Sequence, residues 1–257
     1  MHTDNSFVTL TFNDEALLER SSFDVPPDQY IPYGSLSVRD LQLFIKKLRF
    51  HAGYPGIRYY ACGEYGDRFQ RPHYHICLFN YRPDDLRLHK EREGIKLYTS
   101  KTLDKIWGHG YTLTGDVTFQ SAAYVSRYIM KKINGANATS HYENVDPRTG
   151  EIFQLKPEFT TMSRRPGIGK TWYDKFKNDV FPHDEVVING KSTRPPAYYS
   201  RLFEAEFPSD FEKLKSSRLK GAIKHLDNNT PERLKIRSAV QQRKLKMLPR
   251  TLEGTHK

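Results

Sequence analysis

Hydrophobic and polar positions alternate with two distinct periods along the first 180 residues, which predicts an ordered series of strands and helices. Short apolar runs and two-residue alternation indicate strands, whereas apolar residues three and four apart indicate amphipathic helices. The chain between 134 and 157 follows neither period and is predicted to be loop. The predicted strands are 7–12, 57–66, 73–80, 111–119 and 158–165, and the predicted helices are 37–53, 101–107, 121–133 and 170–180.

This order of elements predicts an α+β fold, in which a central antiparallel sheet has helices packed on one face. The sequence changes character near residue 182, where the stretch KSTRPPAYY resembles a linker. We therefore predict a domain over 1–181, followed by a linker and a basic tail over 182–257 that is helical or partly disordered.

Charge is distributed unevenly along the 257 residues, which carry a formal net charge of +11. From residue 191 onwards there are 16 Lys and Arg against 7 Asp and Glu, a composition that favours a polyanionic partner, most often nucleic acid. A solvated, solubilising surface is the alternative. Two cysteines exclude a disulfide framework, and the absence of a long apolar run or signal pattern predicts a cytosolic protein without membrane contact.

The stretch RPHYHICLF places His73 and His75 one residue apart within an apolar, strand-like run. Because side chains alternate along a strand, both imidazoles and Cys77 are predicted to share one face. If this strand pairs with the preceding one, Glu64 is expected nearly opposite His75 and diagonal to His73. Two imidazoles and one carboxylate suit a divalent cation with open positions, and Mg²⁺ or Mn²⁺ is the expected ion beside a phosphate substrate.

Other interpretations of this strand remain open at the level of sequence. A His-x-His pair arises by chance on surface strands, and a hydrogen-bonded histidine is commoner than a metal ligand. Cys62 and Cys77 fall on the same predicted face, so a structural zinc site formed with the histidines is a second possibility, although the usual Cys spacing is missing. A histidine-triad nucleotide hydrolase would need a histidine where Cys77 stands.

The helix predicted over 121–133 carries Tyr124 and Tyr128 four residues apart, flanked by Arg127 and Lys131. Both tyrosines lie away from the apolar stripe and are therefore predicted to be displayed at the surface. With neighbouring cations and a metal on the phosphorus, a phenol could attack a DNA phosphodiester and form a covalent phosphotyrosine. Surface tyrosines that stack on bases are the alternative. The predicted buried stripe is Ala122, Val125, Ile129 and Ile133.

Together these motifs resemble the HUH endonucleases that initiate rolling-circle replication, and most closely the replication initiators of microviruses of the gokushovirus branch. The family motif of two histidines around a bulky hydrophobe reads His73-Tyr74-His75 here. The family's tyrosine motif places a lysine three residues after each tyrosine, and here Arg127 replaces the first of the two lysines. The stretches FVTLTF, CGEYG and MSRRPGIGKTWY also resemble family segments, so the likeness covers roughly residues 7 to 180.

The resemblance implies a sheet of about five strands and a metal-dependent endonuclease and strand transferase that nicks single-stranded viral origin DNA and later rejoins it. His73, His75 and Glu64 would hold Mg²⁺ or Mn²⁺. Tyr124 or Tyr128 would attack, while Arg127 and Lys131 would stabilise the developing charge. The implied partners are origin DNA, a host helicase and a host polymerase, in the cytoplasm of the bacterial host. The predicted DNA contacts are Lys132, Arg164 and Arg165.

Two functional alternatives are retained beside this one. A non-catalytic nucleic-acid-binding module would use the tyrosines for stacking only, and a plasmid-type relaxase or transposase would share the same chemistry. The stretch GIGKT over 167–171 does not make a nucleotide-binding P-loop, because the required first glycine is replaced by Arg164. Any DNA unwinding is therefore expected from a partner.

Overall fold

A computed structural model describes residues 1–22, 30–66, 69–92, 94–127, 132, 135, 138–146 and 148–247. The strands are β1 (Asn5–Phe12), β2 (Arg58–Tyr65), β3 (Pro72–Phe79), β4 (Arg87–Arg92), β5 (Ile95–Thr99), β6 (Gly110–Gly115), β7 (Glu143–Val145), β8 (Ile152–Gln154), β9 (Phe159–Met162), β10 (Val186–Ile188) and β11 (Lys191–Thr193). The α-helices are α1 (Asp14–Glu19), α2 (Val38–Ala52), α3 (Lys101–Trp107), α4 (Phe119–Arg127), α5 (Ala138–Tyr142), α6 (Lys170–Val180), α7 (Ala197–Glu206), α8 (Pro208–Ile223) and α9 (Pro231–Lys246), and a 3₁₀ helix covers Leu226–Asn229.

The chain divides after Arg165 into two compact units. The first contains a seven-stranded antiparallel sheet in the order β4-β5-β6-β1-β3-β2-β9. The α+β class is confirmed, and the sheet is larger than the five or so strands expected. The β4–β5 hairpin accounts for most of the difference, because its polar sequence gave no apolar run.

One face of the sheet forms the main hydrophobic core with α1, α2 and α3. Alternating residues of β1 and β3 meet an apolar stripe on α2 and the buried indole of Trp107, which donates to the Thr11 carbonyl at 3.1 Å. The Tyr74 hydroxyl accepts from the Ser37 amide and donates to the Asp40 carboxylate, each at 2.9 Å, so β3 is tied to the first turn of α2. The α2 stripe consists of Leu41, Phe44, Ile45 and Leu48.

The other face of the sheet is covered by α4, and the prediction that helices lie on one face only was therefore wrong. Phe7 of β1, Cys62 of β2 and Cys77 of β3 form a second buried cluster with Tyr124 and Val125 of α4. Strands β2 and β3 are consequently buried on both faces over this region, which is usual in α/β sheets but was not indicated by alternation.

The second unit, beginning at Pro166, contains α6 to α9 and the β10–β11 hairpin. Helix α6, grouped with the first domain at the sequence level, contributes Tyr173 and Val180 to a cluster with α7, so the observed division precedes the predicted boundary at residue 181. Gly169 adopts a φ of +85°, and a Cβ there would collide with the Tyr199 hydroxyl. The glycines of GIGKT thus allow α7 to approach closely, a packing role consistent with the exclusion of a P-loop.

Gly110, at the start of β6, makes a close approach that only glycine permits. Its φ is +146°, and a Cβ would collide with the backbone of Thr11 and Phe12 on β1. Gly115, at the other end of β6, is a matched comparison, because a Cβ there would meet only the Leu97 side chain at 3.5 Å, an ordinary contact.

We expect Gly110→Ala to reduce the free energy of unfolding of the first unit by more than about 2 kcal/mol, since backbone strain and a backbone clash combine. Urea unfolding followed by Trp107 fluorescence in a Trp172→Phe background would measure it, because these are the only two tryptophans and only Trp107 lies in the first unit. Gly115→Ala should change stability by less than about 1 kcal/mol. Equal effects of the two substitutions would contradict the proposed close approach.

Candidate active site

Strand β3 lies between β1 and β2 at the centre of the sheet and carries both histidines of the His-x-His motif. His73 and His75 point to the face covered by α4, while the intervening residues belong to the main core on the other face. The predicted separation of the two faces is confirmed. The imidazoles therefore lie between a rigid sheet and the helix that carries Tyr124.

His75 is buried and hydrogen-bonded at both ring nitrogens. Its Nε2 lies 2.7 Å from Glu64 Oε1 on β2, and its Nδ1 lies 3.0 Å from Thr9 Oγ1 on β1. A carboxylate can only accept, so a neutral ring in this arrangement donates through Nε2 and accepts the Thr9 hydroxyl proton at Nδ1. Because a hydroxyl can also accept, Thr9 could equally receive Nδ1–H if the Nε2 lone pair were used elsewhere.

His73 is half-buried, and its tautomer follows from one contact. Its Nδ1 lies 2.6 Å from the Arg71 carbonyl oxygen, which can only accept, so the Nδ1 carries the proton. The lone pair of a neutral His73 is then on Nε2, the atom that metal-binding imidazoles commonly use. Gly66 keeps space for this ring, since a Cβ there would lie 3.2 Å from His73 Cε1.

The register of the β2–β3 hairpin differs from the expected one by one pair of residues. Glu64 lies directly opposite His73, and Cys62 lies opposite His75, whereas we predicted Glu64 opposite His75. Alternation fixes the face of a side chain, but the length of the turn fixes the register. All three predicted ligands still share one face, and the diagonal Glu64–His75 pair makes the hydrogen bond.

The donor set is chemically suited to a divalent cation. Glu64 Oε1 and His75 Nε2 are 2.7 Å apart, and neighbouring ligands around one octahedral Mg²⁺ are about 3 Å apart. Hydrogen bonds at Nδ1, as on His73 and His75, are the contacts that orient metal-binding imidazoles. Over the residues that the structure describes, however, no three His, Cys, Asp or Glu side chains form a ready metal-binding group. The metal therefore stays a prediction.

The alternative zinc site is not favoured by the surroundings of the two cysteines. Cys62 and Cys77 are buried in the apolar cluster beneath α4, and burial raises the pKa of the Cys77 thiol to about 12. Zinc binds the thiolate, whose formation is costly in such surroundings. Their contacts are those of small hydrophobic residues.

Tyr124 lies beside the histidine pair, but it is not displayed at the surface. It is 7% exposed, and its ring packs edge-on against His75 with centroids 5.4 Å apart. Phe7 stacks on His75 at 5.7 Å, so that the imidazole has aromatic neighbours on two sides. The prediction of an exposed Tyr124 was wrong, because the buried stripe of α4 follows Ser121, Tyr124 and Val125.

The arrangement of strand, histidine pair and tyrosine helix falls within one family match. Residues 5–133 match the family model of the replication-associated protein ORF2. This chain belongs to that family. The match runs from β1 through α4 and so includes every residue of the His-x-His and tyrosine motifs, which confirms the resemblance to microvirus replication initiators at the level of family.

The relatives that the chain matches are phage proteins. The chain is 33% identical over 217 residues to replication-associated protein VP4 of Bdellovibrio phage phiMH2K, covering 81% of this chain and 60% of the relative. It is 33% identical over 215 residues to replication-associated protein ORF2 of Spiroplasma virus 4, covering 80% and 60%, respectively. Replication-associated protein ORF4 of Chlamydia phage 1 is 25% identical over 221 residues, covering 82% and 49%. No solved structure gives a significant match.

The other predicted catalytic residues are only partly described. Tyr128 and Lys131 lie outside the described residues. Arg127 is half-buried, with its guanidinium carbon 6.0 Å from the centre of the Tyr124 ring, at the limit of a cation–π contact. Lys132 is exposed. Arg127 is thus the one predicted cation that the described structure brings to Tyr124.

The two predicted arginine contacts lie away from this site. Arg164 and Arg165 are exposed and follow β9, where the Ser163 amide donates to the Tyr59 carbonyl at 2.9 Å. Tyr59 and Glu64 are five residues apart on β2, which corresponds to about 17 Å along a strand. A DNA contact at these arginines would therefore be made well away from the histidine pair.

Thr9 and Phe7 are site residues that the sequence analysis did not identify. Both lie on β1 and share the histidine face, in the stretch FVTLTF that was interpreted only as a strand. Thr9 is opposite His75 in the β1–β3 register. Alternation in β1 placed them on one face, but only the strand order brings that face beside β3.

We expect Thr9→Val to lower the free energy of unfolding of the first unit by about 1–3 kcal/mol, because it keeps the side-chain shape and leaves the buried His75 Nδ1 without its partner. Thr9→Ser keeps the hydroxyl and should cost less than about 1 kcal/mol for the lost methyl group. Urea unfolding followed by Trp107 fluorescence would compare them. A valine variant as stable as the serine variant would show that this hydrogen bond contributes nothing.

Proposed function

We propose that this chain is a metal-dependent, site-specific single-strand DNA endonuclease and strand transferase that initiates rolling-circle replication. The observation that carries the proposal is the packing of Tyr124 against His75, whose other neighbour is Glu64 at 2.7 Å. A phenol, an imidazole pair and a carboxylate thus occur together on one face of the sheet. Phosphodiester chemistry through tyrosine requires this combination of groups.

The proposed reaction is a transfer of the phosphodiester to tyrosine. The phenolic oxygen of Tyr124 or Tyr128 attacks the phosphorus, the bond to the 3′ oxygen breaks, and the departing oxygen takes a proton to become a free 3′-hydroxyl. The product is a 5′-phosphotyrosine, which keeps the energy of the ester so that a 3′-hydroxyl can later attack it and rejoin the strand. Two tyrosines would permit two successive transfers.

The residues around the reacting atoms have separate proposed roles. His73, His75 and Glu64 would hold Mg²⁺ or Mn²⁺, which supplies charge stabilisation at the phosphate oxygens when bound. Arg127, 6.0 Å from the centre of the Tyr124 ring, would favour the phenolate and its phosphate ester. Lys131 is proposed to do the same for Tyr128.

The burial of Tyr124 argues against a protein that only binds nucleic acid. A stacking platform needs an exposed ring face, whereas this ring packs against His75 and Phe7. The relatives are named replication-associated proteins of phages, which favours a role in replication over that of a plasmid relaxase or transposase. The chain spans about 60% of the length of the first two relatives, so the activity of the whole protein is part of the proposal.

The proposed partners follow from the same role. Viral origin DNA would be the substrate, and a host helicase and polymerase would unwind and extend it, in the cytoplasm of the bacterial host. Among the described residues, no helix is long and apolar enough to cross a membrane.

We expect the Tyr124→Phe/Tyr128→Phe double variant to form no covalent DNA adduct, because Phe keeps the ring and removes the attacking oxygen. Labelled single-stranded fragments of the viral genome would be incubated with the protein and Mn²⁺, and adducts detected on denaturing gels. The double variant should still bind the fragments, as measured by fluorescence anisotropy. Adduct formation by the double variant at the level of the unmodified chain would refute tyrosine as the nucleophile.

We expect Glu64→Gln to weaken Mn²⁺ binding at least about 10-fold, since it removes the negative charge without changing the side-chain size. Calorimetry or the paramagnetic resonance of free Mn²⁺ would measure binding directly, and EDTA should abolish adduct formation until Mn²⁺ is restored. Glu91→Gln, at an exposed position on edge strand β4, is the control and should bind Mn²⁺ normally. If both variants bind Mn²⁺ equally well, Glu64 is not a ligand.

A further inference from the structure

Helix α9 differs from the other helices of the second unit in how its cations are balanced. On α8, Lys213 lies 2.8 Å from Asp210, and Lys215 lies 2.9 Å from both Glu204 and Glu212. These charges are neutralised within the unit. Over the described residues, by contrast, no ion pair involves α9.

The cations of α9 lie on a helix that is exposed all round. Every residue from 231 to 244 is exposed, including Leu234, Ile236 and Val240. The helix contacts the 3₁₀ helix before it, and no residue of α9 belongs to a described core cluster. An isolated helix of this length is marginal in water, so a partner that binds α9 would also stabilise it.

Three of these cations form a stripe on one side of α9. At 100° per residue, Arg233, Arg237 and Lys244 fall within about 40° of one another, along about 17 Å of the helix. Arg233 donates to the Asn228 side-chain oxygen at 3.1 Å, and Arg237 donates to that of Asn229 at 3.0 Å. These acceptors are neutral, so they hold the guanidinium groups in place without cancelling their charge.

The sequence of α9 favours duplex DNA over a single strand. Proteins that bind single strands present aromatic rings on which bases stack, and α9 contains no Phe, Tyr or Trp. It contains Arg and Lys together with Gln241 and Gln242, the side-chain types that contact phosphates and base edges in a major groove wide enough for one helix.

We propose that the Arg233–Arg237–Lys244 stripe of α9 binds the phosphate backbone of duplex DNA. This deepens the proposed function by adding a second part of the substrate, and it rests on that function only for the choice of DNA as the polyanion. The single strand is cut at the tyrosine site, while the stripe holds a double-stranded segment.

The test compares salt dependence in two charge-matched variants. Arg237→Gln/Lys244→Gln removes two stripe cations, and Lys213→Gln/Lys215→Gln removes two paired cations from α8. Gln is a good helix former, so circular dichroism should show unchanged helicity. Binding to a labelled random-sequence duplex of about two helical turns, and to one strand of the same length, would be measured by fluorescence anisotropy at increasing salt.

Loss of two phosphate contacts should make the slope of log K against log salt shallower by about 1.8 for the duplex with the stripe variant, and leave it unchanged with the α8 variant. The single-strand slope should stay the same in both variants. A duplex slope equal to that of the unmodified chain would overturn the proposal, as would a shallower slope confined to the single strand.

The proposed nicking function is tested separately in the same proteins. The stripe variant should still form the tyrosine adduct on single-stranded viral DNA, because α9 is not needed for chemistry there. If the unmodified chain forms no adduct, the proposed function fails, yet the duplex measurement still decides the role of α9. If the stripe variant loses both the adduct and binding to single strands, the assignment of α9 to duplex DNA is overturned.

Discussion

A strand covered on both faces has to bury all its side chains, and β3 meets this requirement with a different chemistry on each face. On one face its residues are apolar apart from the Tyr74 hydroxyl, which Ser37 and Asp40 satisfy. On the other face it presents His75, a polar group that is expensive to bury without partners. The rest of the site follows from the need to satisfy that imidazole.

The partners of His75 come from the strands on either side. Thr9 of β1 and Glu64 of β2 occupy its two nitrogens, while Phe7 and Tyr124 cover its ring. A buried carboxylate is tolerated only when it is hydrogen-bonded or close to a positive charge. The Glu64–His75 pair is therefore stable as it stands and also suited to exchange its shared proton for a cation. The Thr9 hydroxyl can accompany that exchange, because it serves as donor or acceptor.

Sequence reasoning identified the faces of the strands more reliably than their register or their cover. Alternation correctly grouped His73, His75 and Glu64, because side-chain direction is a local property of each strand. The pairing of Glu64 with His73 depends on the turn between strands, and the burial of Tyr124 depends on how α4 packs. Neither is encoded in a local pattern, since tyrosine satisfies both a polar and an apolar position.

Larger features escaped for related reasons. The β4–β5 hairpin lies at the edge of the sheet and is rich in charged residues, which is how edge strands avoid unwanted pairing and also why they lack an apolar signal. Helix α6 was assigned by its period, but its membership of the second unit depends on contacts with α7 that come from residues far along the chain. Thr9 illustrates the same limit, since its importance appears only when β1 and β3 become neighbours.

The two units suit different physical demands of the proposed reaction. Chemistry at a phosphorus atom tolerates little positional error, and a central β-strand held on both sides and both faces supplies that rigidity. Holding a DNA backbone demands charge and reach more than fixed geometry, and an exposed helix with uncompensated cations supplies both. Because affinity from such a helix is independent of sequence, the choice of cleavage site would have to come from the sheet unit, where the single strand would meet the histidine pair and Tyr124.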